Sequence, residues 1–455
     1  MSQPLARQFA EYAHNLRFAD LPGPVVHEVK RRFIDSFATA VGAMDAEAFH
    51  IARRCALRMT GERQASLLGG GQSNAEWATF VNGLLIRYLD YNDTYLSLEP
   101  AHPSDNLAAV LGVGEAYGST GQEMIVAAVL AYEIQCRLCD ASSLRKHGFD
   151  HVTYGAISSA LAACKLMKLD VTKTTHAVGL AGVCNTALRQ TRAGELSMWK
   201  GCAFANAARN AVFAAELAAE GLTGPAPIFE GDLGFMKLLT GPFTVAPLGG
   251  NGRGFMITET YIKFWPAEYH SQSAIDAALQ LRPQVGDMRT VKAIDIHTFD
   301  AAVDIIGKDP EKWRPKTRET ADHSLPYCTA VALADGDVTA AQFDDAHLAN
   351  SALLDLVAKV KLHRDAAQSA RYPAGIPNRL TITLADGKQL VKEVEFPRGH
   401  ARNPMTDAEV ESKFLRMAEP KYGAARCKQV LAACWKLESL KSAGELLKLL
   451  GQPGA

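Results

Sequence analysis

The run Leu380-Thr-Ile-Thr-Leu-Ala-Asp-Gly-Lys-Gln-Leu-Val-Lys-Glu-Val-Glu-Phe396 decides how its half of the chain folds. Residues 380–384 and 390–396 are strand-like. The Asp-Gly pair between them predicts a hairpin, because glycine reaches the positive φ that a tight hairpin turn requires. Working outward, residues 291–299 alternate apolar and polar side chains cleanly and residues 357–363 less so, and both predict half-buried strands. Residues 273–281 and 325–334 lie among these strands and read as helices, so the region is α+β. The texture changes near Phe264-Trp265-Pro266. Ahead of that point the chain reads mostly as helix. In residues 25–44, Val26, Val29, Phe33, Ile34, Phe37 and Val41 recur at three- and four-residue steps. Residues 106–117, 122–138, 152–169 and 202–220 are rich in Ala and Leu. Several of these are apolar nearly all round, the pattern of helices buried in a bundle. After Pro404 the chain returns to amphipathic helix through Leu450, and residues 451–455 read as a frayed end.

The expected fold is therefore mainly α with an α+β insertion. A large helical domain is built from residues 1–269 and 401–455, and a smaller α+β lid domain from 270–400. No internal repeat is visible.

The chain has 455 residues, which suggests roughly two or three domains. Hydrophobic residues make up 48% and charged residues 21%, which excludes disorder and a small disulfide scaffold. A formal charge of -1 offers no basic field for nucleic acid. Residues 1–20 lack a signal-peptide core, and the longest apolar run, 124–132, is about half the ~20 residues of a membrane span. Nine scattered cysteines suit a reducing cytoplasm. Cys136 and Cys139 form a C-x-x-C inside a helical run with no Gly or Pro to wrap a cluster. They read as packed thiols, with an iron–sulfur site completed by a distant thiol such as Cys184 as the rival.

The densest polar cluster runs from Tyr88 to Tyr95 and on to Asn106. If residues 80–94 are helical, Asp90, Asp93 and Thr94 share one face. Pro100 and Pro103 present His102 from a stiff loop, and Ser104 or Asp105 can cap the next helix. His151, His270 and His323 stand in similarly constrained settings, although each taken alone is more simply a structural histidine. Arg189, Arg192, Lys200 and Lys263 lie where an anionic substrate wants cations. No His or Cys spacing matches a zinc site, and the glycine runs at 69–71 and 249–254 fit neither a dinucleotide fingerprint nor a P-loop.

Together, Tyr91-Asn-Asp-Thr94, Ala101-His-Pro-Ser-Asp-Asn106, Lys200 with Asn206-Ala-Ala-Arg209, Phe264-Trp-Pro-Ala-Glu-Tyr-His270 and Asp322-His-Ser-Leu-Pro-Tyr327 resemble the MmgE/PrpD family. The resemblance runs from about residue 5 to 450, on motifs in order along the chain. It implies a helical domain, an α+β lid, a homodimer and a small di- or tricarboxylate substrate, with no iron–sulfur cluster or other cofactor. The family's active-site positions fall on Asp90, Thr94, His102, His151, Lys200, Lys263 and Tyr327. The branch it resembles most dehydrates 2-methylcitrate to 2-methyl-cis-aconitate. In the family's decarboxylase branch a histidine follows Pro-Ala, whereas Glu268 stands there in this chain and His270 is the nearest histidine. The first loop is also two residues longer than in that branch, and both departures favour dehydration over decarboxylation, while decarboxylation of cis-aconitate or epimerisation of a related diacid in the same pocket is the rival reading.

Such a dehydration needs a base, an acid for the leaving hydroxyl, and cations to hold carboxylates as carbanion character develops. His102 is the expected acid/base residue, with Asp90 orienting its ring. His151 and Lys200 are expected to supply the complementary proton transfer. Arg192 and Lys263 are expected to bind carboxylates, His270 to contact the substrate, and Thr94 and Tyr327 to supply hydroxyl contacts. No metal is expected.

Overall fold

The computed structural model describes residues 3–194 and 196–451. The frayed-end expectation for 451–455 falls, apart from Gly451, outside these residues. The chain divides into two compact units. The first comprises Met1–Arg192, Met198–Thr260 and Thr406–Ala455, and the second Ala193–Ser197 with Tyr261–Met405. The fold is mainly α with a small α+β portion. Among the described residues no helix is long and apolar enough to cross a membrane.

The first unit is a bundle whose inner helices, Leu107–Ala116, Gly121–Ala141 and Val152–Leu166, are apolar nearly all round and correspondingly buried. Ala75–Tyr88 and Val152–Leu166 both pack against Trp199–Ala219. Small residues set those approaches. A Cβ on Gly155 would stand 2.2 Å from the Phe204 ring, so glycine alone lets these two backbones come so close. Gly23–Gly42 packs against Asp407–Trp435, which is interrupted at Gly423, where φ is 72°. This contact between early and late segments carries a buried ion pair, Lys413 Nζ to Asp35 Oδ1 at 2.6 Å. Burial pushes the Asp35 carboxyl up, and Lys413 pulls it back. Lys413 also donates to the Tyr91 carbonyl at 2.7 Å and lies over the Tyr91 ring.

In the second unit the strand order is 360–364, 291–298, 378–384, 389–394, with the first pair parallel and the others antiparallel. Asp386 and Gly387 close the hairpin, with Gly387 at φ 87°. In Asn378–Leu384, which contains the strand expected over 380–384, the first, third, fifth and seventh residues are buried. The Gln272–Val285 helix covers this sheet and packs on Leu325–Asp335.

Two local expectations are corrected. The helix expected over 80–94 ends at Tyr88, and Asp90 follows at φ 51°, so Asp90, Asp93 and Thr94 do not share a helical face. The chain instead turns into a short bridge between Tyr95 and Ala101. Ser104 and Asp105 do not cap Leu107–Ala116, whose start has no side-chain cap. They lie in the turn Pro103–Asn106, where Asn92 Nδ2 reaches both Ser104 Oγ and Asp105 Oδ1.

Candidate active site

In the first unit, three chain segments place charged side chains together. The end of Ala75–Tyr88 supplies Arg87, and the turn beyond it Asp90. Arg87 is buried and pairs with Asp90 Oδ1; its Nε lies 3.8 Å from Asp105 Oδ2. Lys200, on the first turn of Trp199–Ala219, reaches Asp90 Oδ2 at 3.5 Å. Asp90 thus sits between two cations in a left-handed backbone conformation that Asp tolerates better than most residues.

His102 projects from the proline-framed loop, half-buried. Its Nδ1 lies 2.7 Å from the Asp93 carbonyl, and its Nε2 lies 3.0 Å from Arg87 Nη2. A carbonyl only accepts and a guanidinium only donates. The ring is therefore neutral, with its proton on Nδ1 and its lone pair on Nε2. The tautomer-setting role expected of Asp90 is filled by the Asp93 backbone. Asp93 is itself fixed from three sides: Oδ1 accepts from the Ser104 N–H at 2.9 Å, and Oδ2 accepts from Tyr132 Oη at 2.7 Å and lies 3.5 Å from Arg32 Nε.

His151 immediately precedes Val152–Leu166, and its ring stands edge-to-face with His102 at 5.8 Å between centroids. Its Nδ1 meets Asp150 Oδ1 at 2.9 Å, and Asp150 Oδ2 accepts from Arg192 Nε at 2.9 Å. Burial opposes the charge on Asp150, but Arg192 and His151 outweigh it and hold the carboxyl well below its usual range. Burial lowers His151 to about 4 although Asp150 pulls the other way, so the imidazole is neutral at pH 7. Asp105 behaves oppositely: burial pushes it to about 7, with Arg87 pulling it down.

Of the residues expected at the site, Asp90, His102, His151, Lys200, Arg192 and Thr94 lie in the first unit. Arg192 Nε is committed to Asp150, and the Thr94 hydroxyl donates to the Ala101 carbonyl. In the second unit, His270 Nδ1 meets Glu268 Oε1 at 2.6 Å and its Nε2 lies 3.3 Å from Tyr372 Oη. Burial would raise Glu268, yet His270, His323 and Lys263 together bring it to about 2. Tyr327 is fully buried and donates to the Gln342 carbonyl at 2.8 Å.

Sequence reasoning alone does not single out Arg87 or Asp150, nor the role of the Asp93 backbone. Arg87 precedes the polar cluster by one residue and Asp150 adjoins His151, so proximity in sequence is the available signal. The rival cluster site does not fit: Cys136 and Cys139 are buried within Gly121–Ala141, and burial drives both thiols strongly toward the neutral form, whereas Cys184 is exposed.

Two neutral imidazoles beside paired cations and carboxylates equip this unit for moving protons next to an anion. Comparison with known proteins agrees with that class. Residues 7–247 match the MmgE/PrpD N-terminal domain and residues 265–437 the MmgE/PrpD C-terminal domain. The chain is 32% identical to the 2-methylcitrate dehydratase of Cupriavidus necator, over 76% of each chain. It is 30% identical to that of Escherichia coli K12, over 71% of each. An alkylcitrate dehydratase from a fungal species is 30% identical, over 83% of this chain and 80% of its own. The chain belongs to the MmgE/PrpD family.

Proposed function

We propose that this enzyme, a hydro-lyase like its relatives, dehydrates 2-methylcitrate to 2-methyl-cis-aconitate by acid/base catalysis without a cofactor. The observation that carries the reading is the pair of neutral imidazoles, His102 and His151, edge-to-face beside the Arg87–Asp90–Lys200 cluster. The names of the relatives supply the substrate class, a small tricarboxylate. Dehydration takes a proton from the carbon next to a carboxylate and expels hydroxide from the neighbouring carbon. His102, His151 and Lys200 are the residues proposed for these two proton transfers, with Asp90 holding Lys200 in place.

Substrate contacts are proposed for Thr94, Arg192, Lys263, His270 and Tyr327. Thr94 and Tyr327 already donate their hydroxyl protons to backbone carbonyls, so they suit the role of acceptors for the substrate's own hydroxyl. The proposal includes a cytoplasmic protein, supported by nine free cysteines. It also includes a homodimer, supported by the exposed Trp199 and Phe213 on one helix.

The test is a proton-NMR time course with synthetic 2-methylcitrate, and with citrate and cis-aconitate in parallel. Methyl-cis-aconitate is the expected product, and His102→Ala is expected to abolish its formation. Itaconate from cis-aconitate, or near-wild-type turnover by His102→Ala, defeats the proposal.

A further inference from the structure

The acid/base reading leaves open which imidazole accepts the proton, and the two rings are not equivalent. His102 is engaged at both nitrogens, with Arg87 donating into the Nε2 lone pair. A cation at that lone pair makes His102 a poor proton acceptor while the contact lasts, and its part in turnover is then to hold Arg87 beside Asp90 and Lys200. His151 is buried, and its Nε2 has no hydrogen-bond partner among the described residues. Its Nδ1 faces a carboxylate that can only accept, so the Nδ1 proton is fixed and the idle Nε2 carries the lone pair. A buried acceptor without a partner is costly in a finished protein, and a reacting group is one of the few reasons to keep one.

Asp150 is fully buried and held at both oxygens. Oδ1 meets His151, and Oδ2 accepts from Arg192 Nε, which braces the carboxylate. The Asp150 N–H donates to the Ala187 carbonyl at 2.9 Å, which ties the segment to the following loop. The same carboxylate that fixes the tautomer also stabilises the imidazolium formed when Nε2 takes up a proton.

We infer that His151 is the proton-accepting base and that Asp150 is its positioning residue, braced by Arg192. The inference rests on the acid/base reading above. In the step, Nε2 takes the proton from the carbon bearing the methyl group, and that C–H electron pair becomes the new C=C bond. The C–O bond on the neighbouring carbon breaks, and the departing hydroxide leaves as water with a proton from Lys200 Nζ. The surplus proton on His151 returns to Lys200 through solvent, so the cycle closes without an oxidant or reductant.

Two measurements test this on the full-length chain. With 15N-labelled histidine, the His151 signals, identified by their loss in His151→Gln, are expected to show a protonated Nδ1 and an unprotonated Nε2. A proton on Nε2 in the wild type overturns the inference, whatever the substrate proves to be. Asp150→Asn places an amide donor against Nδ1 and is expected to move the proton to Nε2. It should lower kcat by about a hundredfold or more while KM changes by less than about threefold. Asp150→Glu, which restores an acceptor, is expected to recover part of the loss. An Asp150→Asn enzyme with wild-type kcat overturns the assignment. Should 2-methylcitrate not turn over at all, the proposed function falls, and the NMR experiment alone decides the tautomer.

Discussion

At the scale of single residues, Asp105 makes the most testable statement about charge. It is buried beside Arg87, its Oδ2 has no hydrogen bond, and burial raises it to about 7. A carboxyl raised in the folded state binds a proton there that the unfolded chain has released. Its contribution to stability is therefore complete below about pH 4 and is lost as pH climbs through about 7. Asp105→Asn has no such proton to lose. Between pH 5 and pH 8 the wild type is expected to lose about 2–3 kcal/mol relative to Asp105→Asn, since each tenfold difference in proton affinity is worth about 1.4 kcal/mol. His151, lowered to about 4, acts with the opposite sign, so the comparison must be made between the two proteins. Parallel urea titrations at the two pH values measure it; parallel stability profiles would refute the assignment of that proton to Asp105.

At the scale of elements, periodicity makes the long helices legible. Residues 25–44 and 122–138 read as helix and form Gly23–Gly42 and Gly121–Ala141. The strand-like runs 380–384 and 390–396 and the Asp-Gly pair between them do the same for the hairpin. The end of Ala75–Tyr88 is not legible, because nothing in Leu89-Asp90-Tyr91 forbids helix and the stop is a left-handed Asp90. The partners of His102 are equally hidden: one is a backbone carbonyl, which has no signature in sequence, and Arg87 counts as ordinary helix. Glycine on a helix face, by contrast, shows its meaning only in the packed structure. Gly155 lets the helix following His151 lie against the helix whose first turn carries Lys200. Gly155→Ala is expected to destabilise the first unit by about 1–3 kcal/mol through overpacking against Phe204. A companion Phe204→Leu should relieve part of that cost, and thermal unfolding of the single and double variants would reveal it.

At the scale of the whole molecule, the first unit is assembled from segments far apart in sequence, and Lys413 and Asp35 join them. Removing one partner of a buried pair strands the other charge. Lys413→Met is expected to cost about 3–5 kcal/mol, and Lys413→Met with Asp35→Leu substantially less, as read by denaturant unfolding. Equal losses for the single and double variants would show that the pair does not act as a unit. The division of labour between the two ends cannot be read from either end alone, since Asp35 and Lys413 each look like one more charged residue on an amphipathic helix. The same arrangement has a consequence for synthesis. A ribosome delivers Asp35 early and Lys413 only after the continuous stretch Tyr261–Met405 has emerged. For most of translation, then, the helical part holds an acid that it cannot bury without its counter-ion, while the inserted sheet already has nearly all its chain. The insert is free to mature first, whereas the unit that holds His102, His151 and Lys200 is completed only when Lys413 arrives.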